Sequence, residues 1–218
     1  GSTPLTTLTT NAGGTTVISA DISSSSTQTY NDNVSLTTDI TLTGGAQLTF
    51  AGTVNSSSSG DPINSDNDAL STSFTETAFE GEVGGTYGLG AIIITGDLDL
   101  DADITSATSL SVSADTNLAA DVTTSSTQQY DGAVTLSADV ILTTTNNNAT
   151  FGSTIDSDGT TRDLTFNTGS GTVSVTNNVG ATNPLGTVTL TQTGGTTFSG
   201  TFAAAIATLT DTADAADI

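Results

Sequence analysis

The sequence predicts an all-β protein folded as a parallel β-solenoid of roughly ten coils. Three observations lead to this prediction. Apolar and polar residues alternate in many short segments, apolar segments recur at a spacing too long for hairpins, and a longer stretch of sequence occurs twice. Repetitive sequences of this kind form stacked coils, in which each coil covers the apolar edge of its neighbour.

Short segments in which every second residue is apolar occur along the whole chain. Examples are Val34-Ser35-Leu36, Leu48-Thr49-Phe50 and Val173-Ser174-Val175. Because successive side chains of a strand point to opposite faces, each segment has one apolar side to bury. Clusters of Gly and Asn, such as Thr43-Gly44-Gly45 and Asn146-Asn147-Asn148, separate the segments and are typical of turns.

The spacing of apolar positions predicts one coil of the solenoid. The pairs Leu142 and Leu164, Phe151 and Val173, and Phe166 and Val188 are each 22 residues apart. That separation fits a turn of three short strands and is too long for a hairpin. At about 4.8 Å per coil, roughly ten coils would extend on the order of 50 Å.

A long internal repeat supports the same architecture. Residues 19–42 return as residues 119–142 at an offset of 100, and Val83-Gly84 matches Val179-Gly180 at an offset of 96. Identical pairs at the first offset include Asp21/Asp121, Gln28/Gln128, Tyr30/Tyr130 and Asp39/Asp139.

These offsets predict one elongated domain over residues 1–218. We expect two long units at approximately 4–88 and 89–184 and the start of a third at 185–218, which favours a segment of a longer protein. The acidic stretch 61–82 matches the second unit poorly, so we predict that it forms a loop outside the solenoid.

Charge and composition exclude several functions. The chain has 23 Asp and Glu residues against one basic residue, Arg162, and a formal net charge of -22 at pH 7. Nucleic acid is excluded as a partner, because phosphate binding needs Lys and Arg. With no His, Cys or Lys the chain lacks the groups for a nucleophilic triad or a zinc site, and we predict that it is not an enzyme. No apolar run approaches the length of a transmembrane segment.

The sharpest local pattern is an alternation of carboxylates with apolar residues. Neighbouring carboxylates on one side of a strand would lie roughly 6.6 Å apart, close enough for two of them to share a calcium ion. The alternative is a solvated outer face of a strand. No other cofactor is predicted. The candidate metal ligands are Asp97, Asp99, Asp101 and Asp103.

Other polar and aromatic residues each allow two interpretations. A pair from the second acidic cluster could serve glycoside hydrolysis, although the basic groups that such chemistry recruits are absent. Arg162 lies beside two aspartates and is expected to form a surface ion pair. Tyr30 and Tyr130 could stack on sugars or close the same corner of two coils. The second cluster consists of Asp66, Asp68, Glu76, Glu80 and Glu82, and the neighbours of Arg162 are Asp158 and Asp163.

The order of these motifs resembles the repeat region of large secreted bacterial adhesins of the filamentous haemagglutinin type, which are β-strand-repeat surface proteins. The resemblance is carried by residues 13–16, 26–30, 34–39 and 50–54, and in the second unit by residues 126–130, 134–139, 151–155, 179–180 and 184–188. It implies a right-handed parallel β-helix exported to the cell surface.

We therefore expect an extracellular shaft that extends a binding region from the bacterial cell. A composition rich in Ser, Thr, Asn, Asp and Gly without Lys agrees with export. Two alternatives remain open: a self-assembling filament or surface-layer subunit, and a carbohydrate-binding or carbohydrate-cleaving β-helix. The expected partner is a surface ligand, either a glycan or another copy of the chain.

Overall fold

The computed structural model describes residues 5–57 and 67–209, and it confirms a parallel β-solenoid of about 10 turns. Within those residues there is no helix long and apolar enough to span a membrane. In chain order the strands are β1 (Leu8–Thr9), β2 (Thr15–Ile18), β3 (Ile22–Ser23), β4 (Gln28–Tyr30), β5 (Asn33–Leu36), β6 (Ile40–Thr43), β7 (Gln47–Phe50), β8 (Val54–Ser56), β9 (Leu70–Phe79), β10 (Leu89–Leu100), β11 (Ile104–Val112), β12 (Thr116–Leu118), β13 (Val122–Thr124), β14 (Gln128–Tyr130), β15 (Val134–Leu136), β16 (Val140–Thr144), β17 (Ala149–Phe151), β18 (Ile155–Ser157), β19 (Leu164–Asn167), β20 (Thr172–Val175), β21 (Leu185–Gln192), β22 (Gly195–Phe198) and β23 (Ala204–Leu209).

Each coil has three faces, and on each face the inward residues of successive coils pair in parallel. Face I is the ladder of Val34, Val54, Val83, Ile104, Val122, Leu142, Phe166, Leu190 and Leu209. Face II is the ladder of Ile22, Leu42, Thr72, Ile94, Val112, Tyr130, Phe151, Val175 and Phe198. Face III is the ladder of Tyr30, Phe50, Phe79, Leu100, Leu118, Leu136 and Ser157.

The core lies between the three faces and contains stacks of aromatic rings. Tyr30, Phe50 and Phe79 stack along face III with ring centroids 5.2 and 5.3 Å apart. Tyr130 and Phe151 stack along face II at 5.0 Å. Because the parallel strands place equivalent side chains one coil apart, flat rings at equivalent positions pack face to face.

The coil length inferred from the sequence is wrong by two residues in this region. Phe151 pairs with Val175 rather than with Val173, and Phe166 pairs with Leu190, so these coils contain 24 residues. The physical reason is the two-residue period of a strand: a shift of two residues keeps the same side chains inward, so burial alone does not fix the register. Coil lengths also vary, since Leu98 pairs with Thr116 only 18 residues later.

The prediction that residues 61–82 leave the solenoid is wrong for the part that the structure describes. Strand β9 pairs with β6 and β7 on one side and with β10 on the other. Its ten residues run across faces II and III, and Phe79 is fully buried in the aromatic stack. Residues 61–66 lie outside the described residues.

The two copies of the sequence repeat lie on different faces. Tyr30 belongs to face III, where it pairs with Phe50, whereas Tyr130 belongs to face II, where it pairs with Phe151. An offset of 100 residues therefore does not contain a whole number of coils. Successive copies are turned about the solenoid axis, so their equivalent surface residues point in different directions.

Both copies build the same buried corner in spite of this rotation. Gln128 is fully buried, its Nε2 donates to the carbonyls of Val122 (3.1 Å) and Thr143 (2.9 Å), and its Oε1 accepts from the Tyr130 hydroxyl (3.3 Å). In the first copy Gln28 makes the equivalent bonds to Ile22 (3.3 Å), Thr43 (3.0 Å) and Tyr30 (2.9 Å). The amide thus joins the preceding strand of its own coil to the next coil, and it satisfies a buried phenol.

Candidate functional site

The predicted metal ligands lie at the end of β10 and in the turn that follows it. Asp97 and Asp99 point outward from the strand, while Leu98 and Leu100 between them are buried. Asp101 and Asp103 occupy the exposed turn before β11. The alternation predicted from the sequence is therefore present.

These carboxylates accept hydrogen bonds from the next coil. The Oδ1 of Asp97 accepts from the backbone N of Asp115 (3.1 Å), and that of Asp99 accepts from the amide of Asn117 (2.7 Å). Asp103 accepts from the backbone N of Asp121 (2.9 Å). Partial burial, followed by the negative charge of Asp99, raises the pKa of Asp101.

The geometry does not gather these residues into one cluster. Among residues 5–57 and 67–209, no group of three or more His, Cys, Asp or Glu side chains is placed to hold a metal ion. Calcium binding at this strand therefore stays a prediction, and it would have to rest on fewer than three carboxylates. Each carboxylate oxygen already used by a neighbouring coil weakens the case for a dedicated ion site.

The hydrogen bond from carboxylate to next coil is a general feature of this protein. At many corners the side-chain oxygen of an Asp or Asn accepts the backbone N–H of the coil above it. Consecutive residues form short ladders, as when Asp103 accepts from Asp121 and Asp121 accepts from Ile141 (2.7 Å). Other acceptors are Asp21, Asn33, Asp39, Asp115, Asp139, Asn148, Asp163 and Asn178.

Sequence reasoning did not predict this structural use of the acidic residues, although a signal was present. Asp39, Asp103, Asp121 and Asp163 each come directly before a buried apolar residue at the start of a strand. A short acceptor at that point reaches the N–H of the neighbouring coil. The strongly acidic composition is therefore partly a consequence of how the coils are joined.

The second acidic cluster is dispersed. Glu76 contacts Gln47 on the outer side of face III, and Glu82 accepts from the hydroxyl of Thr105 (2.6 Å) at the start of face I. Asp68 is buried, its Oδ2 has no hydrogen-bond partner, and burial raises its pKa. Asp66 lies outside the described residues. The described carboxylates thus bond to different parts of the solenoid.

Arg162 forms the surface ion pair expected from the sequence. Its Nη2 lies 2.7 Å from Oδ2 of Asp158 and its Nε lies 3.2 Å from Oδ1, so the contact is bidentate. The hydrogen bonds from this guanidinium hold the pKa of Asp158 below its usual range. Asp163, on the other side of Arg162, instead accepts the N–H of Thr187.

The three tyrosines have different environments. Tyr30 and Tyr130 are fully buried, and burial raises the pKa of both phenols, so the corner-packing interpretation is correct and neither ring reaches a ligand. Tyr87, which the sequence analysis did not single out, is 47% exposed. It borders a depression of about 230 Å³ on the outer side of face I.

Comparison with family models, with curated proteins and with solved structures found no match to this chain. Its function must therefore be argued from its own residues and from its fold.

Proposed function

We propose that this chain is a non-enzymatic shaft segment of a bacterial cell-surface adhesin, which extends a binding region away from the cell. The observation that carries the proposal is the continuity of the three ladders, which join the coils along the axis without interruption from Val34 to Leu209 on face I. A body held together in this way grows along one direction as residues are added.

The way the coils are joined also suits a shaft. Backbone hydrogen bonds, aromatic stacks and the corner carboxylates all act between neighbouring coils, so they oppose separation of the coils along the axis. The outer carboxylates give the chain its formal net charge of -22, which keeps it soluble and discourages sideways association. The absence of His, Lys and Cys from the sequence supports a non-enzymatic role.

The proposal is tested by shape, assembly and location. Light scattering and negative-stain microscopy of the purified chain should give monomeric particles about 50 Å long at all concentrations, with calcium or with a chelator. Antibodies to the purified chain should label intact cells that make the protein. Labelling only after the cells are permeabilised would contradict a surface location.

A self-assembling filament is the second candidate, and the exposed apolar residues at the two ends favour it. Leu5 and Val17 in the first coils are 44% and 61% exposed, and Ile206 and Leu209 in the last strand are 57% and 51% exposed. Head-to-tail stacking would cover strand edges at both ends. Particles that lengthen with protein concentration would support the filament over the shaft.

A further inference from the structure

We propose that the depression beside Tyr87 on face I is a binding site for neutral glycans. The site is formed by the outward side chains of β2, β5 and β8, which lie one above another, and by residues 86 and 87 of the following loop. Thr15 is in register with Asn33, and Ser35 is in register with Asn55. The depression is lined by Thr15, Asn33, Val34, Ser35, Thr53, Asn55, Ser56, Thr86 and Tyr87.

The loop that carries the aromatic ring is fixed to the sheet. Asn55 Oδ1 accepts from the backbone N–H groups of Thr86 (2.9 Å) and Tyr87 (3.1 Å), and the carbonyl of Tyr87 accepts from Ser56 N (3.3 Å). Gly84 begins the loop with φ +73°, at a place where an added Cβ would lie 2.0 Å from the carbonyl oxygen of Ser106. The position of Tyr87 is therefore set before a ligand binds, which lowers the entropy cost of binding.

Tyr87 is the aromatic ring suited to stacking on a sugar. Tyr30 and Tyr130 are fully buried, five of the Phe residues are at most 5% exposed, and the other two are partly buried against the core. At 47% exposure, Tyr87 presents an apolar face to solvent next to hydrogen-bonding groups. Aromatic rings of this kind combine an apolar surface with a polar hydroxyl.

The remaining groups match the hydroxyls of a neutral sugar. None of the described residues that line the depression is charged, although the chain as a whole has a formal net charge of -22. The oxygen of Asn33 accepts from the N of Thr53 (3.1 Å), so the amide NH2 of Asn33 remains to donate to a ligand. Threonine and serine hydroxyls at the same surface both donate and accept.

Charge and size define the ligand class. Sialylated, sulfated and uronic acid glycans are repelled by the field of the surrounding carboxylates, whereas neutral hexoses and N-acetylhexosamines are not. The volume of about 230 Å³ lies just below the range of ordinary ligand pockets, about 300–1,000 Å³. It fits one sugar ring, with the rest of an oligosaccharide extending along the outer side of face I.

The first test is a glycan array that contains neutral and anionic oligosaccharides, probed with the purified chain. Affinity for a neutral hit is then measured by tyrosine fluorescence, which has no Trp background in this chain and in which Tyr87 is the exposed reporter. We expect neutral glycans to bind and anionic glycans not to bind.

Variants locate the site, with affinity measured by titration calorimetry because they alter the fluorophore. Tyr87→Ala should bind about tenfold more weakly and Tyr87→Phe should bind within about threefold of the original chain, since stacking is kept. Ile93→Ala is the matched control, because Ile93 is 45% exposed on the outer side of face II, and it should bind normally. Ser35→Trp, which fills the depression, should abolish binding.

Three results would overturn the proposal: no neutral glycan bound by the original chain, undiminished binding by Tyr87→Ala with an unchanged melting temperature, or a preference for anionic glycans. The shaft does not depend on this site. A monomeric rod that binds no glycan would remove the site and leave the shaft, and a filament that binds neutral glycans through Tyr87 would do the reverse.

Discussion

The buried amide of Gln128 gives the sharpest test of how the coils are joined. Replacing it with Leu keeps a similar volume but removes the donor to Val122 and Thr143 and the acceptor for the Tyr130 hydroxyl. An unpaired buried polar group costs about 1–3 kcal/mol, and each lost hydrogen bond costs about 0.5–1.5 kcal/mol. After allowing for the better burial of Leu, we expect Gln128→Leu to lower the free energy of unfolding by about 3 kcal/mol.

The phenol makes the prediction specific. In the original chain Tyr130→Phe removes a satisfied hydroxyl and should cost about 1 kcal/mol. In the Gln128→Leu background the same change removes an unpaired hydroxyl, so it should stabilise the protein by about 1 kcal/mol. The effect of one substitution thus changes sign with the residue at position 128.

The assay is urea unfolding followed by far-ultraviolet circular dichroism, for the four proteins of this cycle. Gln129→Leu is the matched control, because Gln129 is the exposed neighbour on the same strand, and its effect should stay within about 0.5 kcal/mol. If Tyr130→Phe destabilises both backgrounds equally, the amide does not satisfy the phenol and the corner described here is incorrect. The equivalent variants of Gln28 and Tyr30 test whether the first copy behaves in the same way.

Three further substitutions are predicted from single contacts. Thr116→Val should raise the melting temperature and stabilise the protein by about 1 kcal/mol, because the Thr116 hydroxyl is buried without a hydrogen-bond partner; an unchanged or lower value would mean that the hydroxyl is satisfied. Asp121→Ala should destabilise the protein more than Asp121→Asn in urea, since Asn keeps an acceptor for the Ile141 N–H; equal losses would show that charge, not this bond, matters. Hydrogen bonds from Thr10 and then Thr16 lower the pKa of Asp32, so its contribution to stability is present above its unfolded pKa of about 3.9 and is lost as pH falls through its folded value. Asp32→Asn should therefore flatten the acid side of a melting temperature profile, and an unaltered profile would contradict this.

Several features of the candidate sites could be read from local sequence. The alternation around Leu98 and Leu100 correctly placed Asp97 and Asp99 outward, and the bidentate contact of Arg162 with Asp158 follows from their spacing of four residues. What these side chains contact in other coils could not be read in the same way. The amide proton that Asp103 accepts belongs to Asp121, and that pairing depends on the length of the coil between them.

The exposure of the tyrosines also depended on distant residues. Tyr30 and Tyr130 stand at strand positions whose inward side is fixed by alternation, so their burial follows from the pattern. Tyr87 stands in a turn without alternation, and its place beside Asn33 and Asn55 results from the closure of one coil over another. No local pattern around Tyr87 contains that information.

The sequence by itself determined the β-structure, the inward and outward sides of most strands, the parallel stacking and the strongly acidic surface, because these follow from a two-residue period and from composition. Tertiary structure decided which coil positions pair, where the carboxylates attach, and that Tyr30 and Tyr130 lie on different faces. The reason is that alternation is satisfied equally by any shift of two residues. Register and rotation are fixed only when each turn closes, and the coil lengths of 18 to 24 residues then add up along the axis.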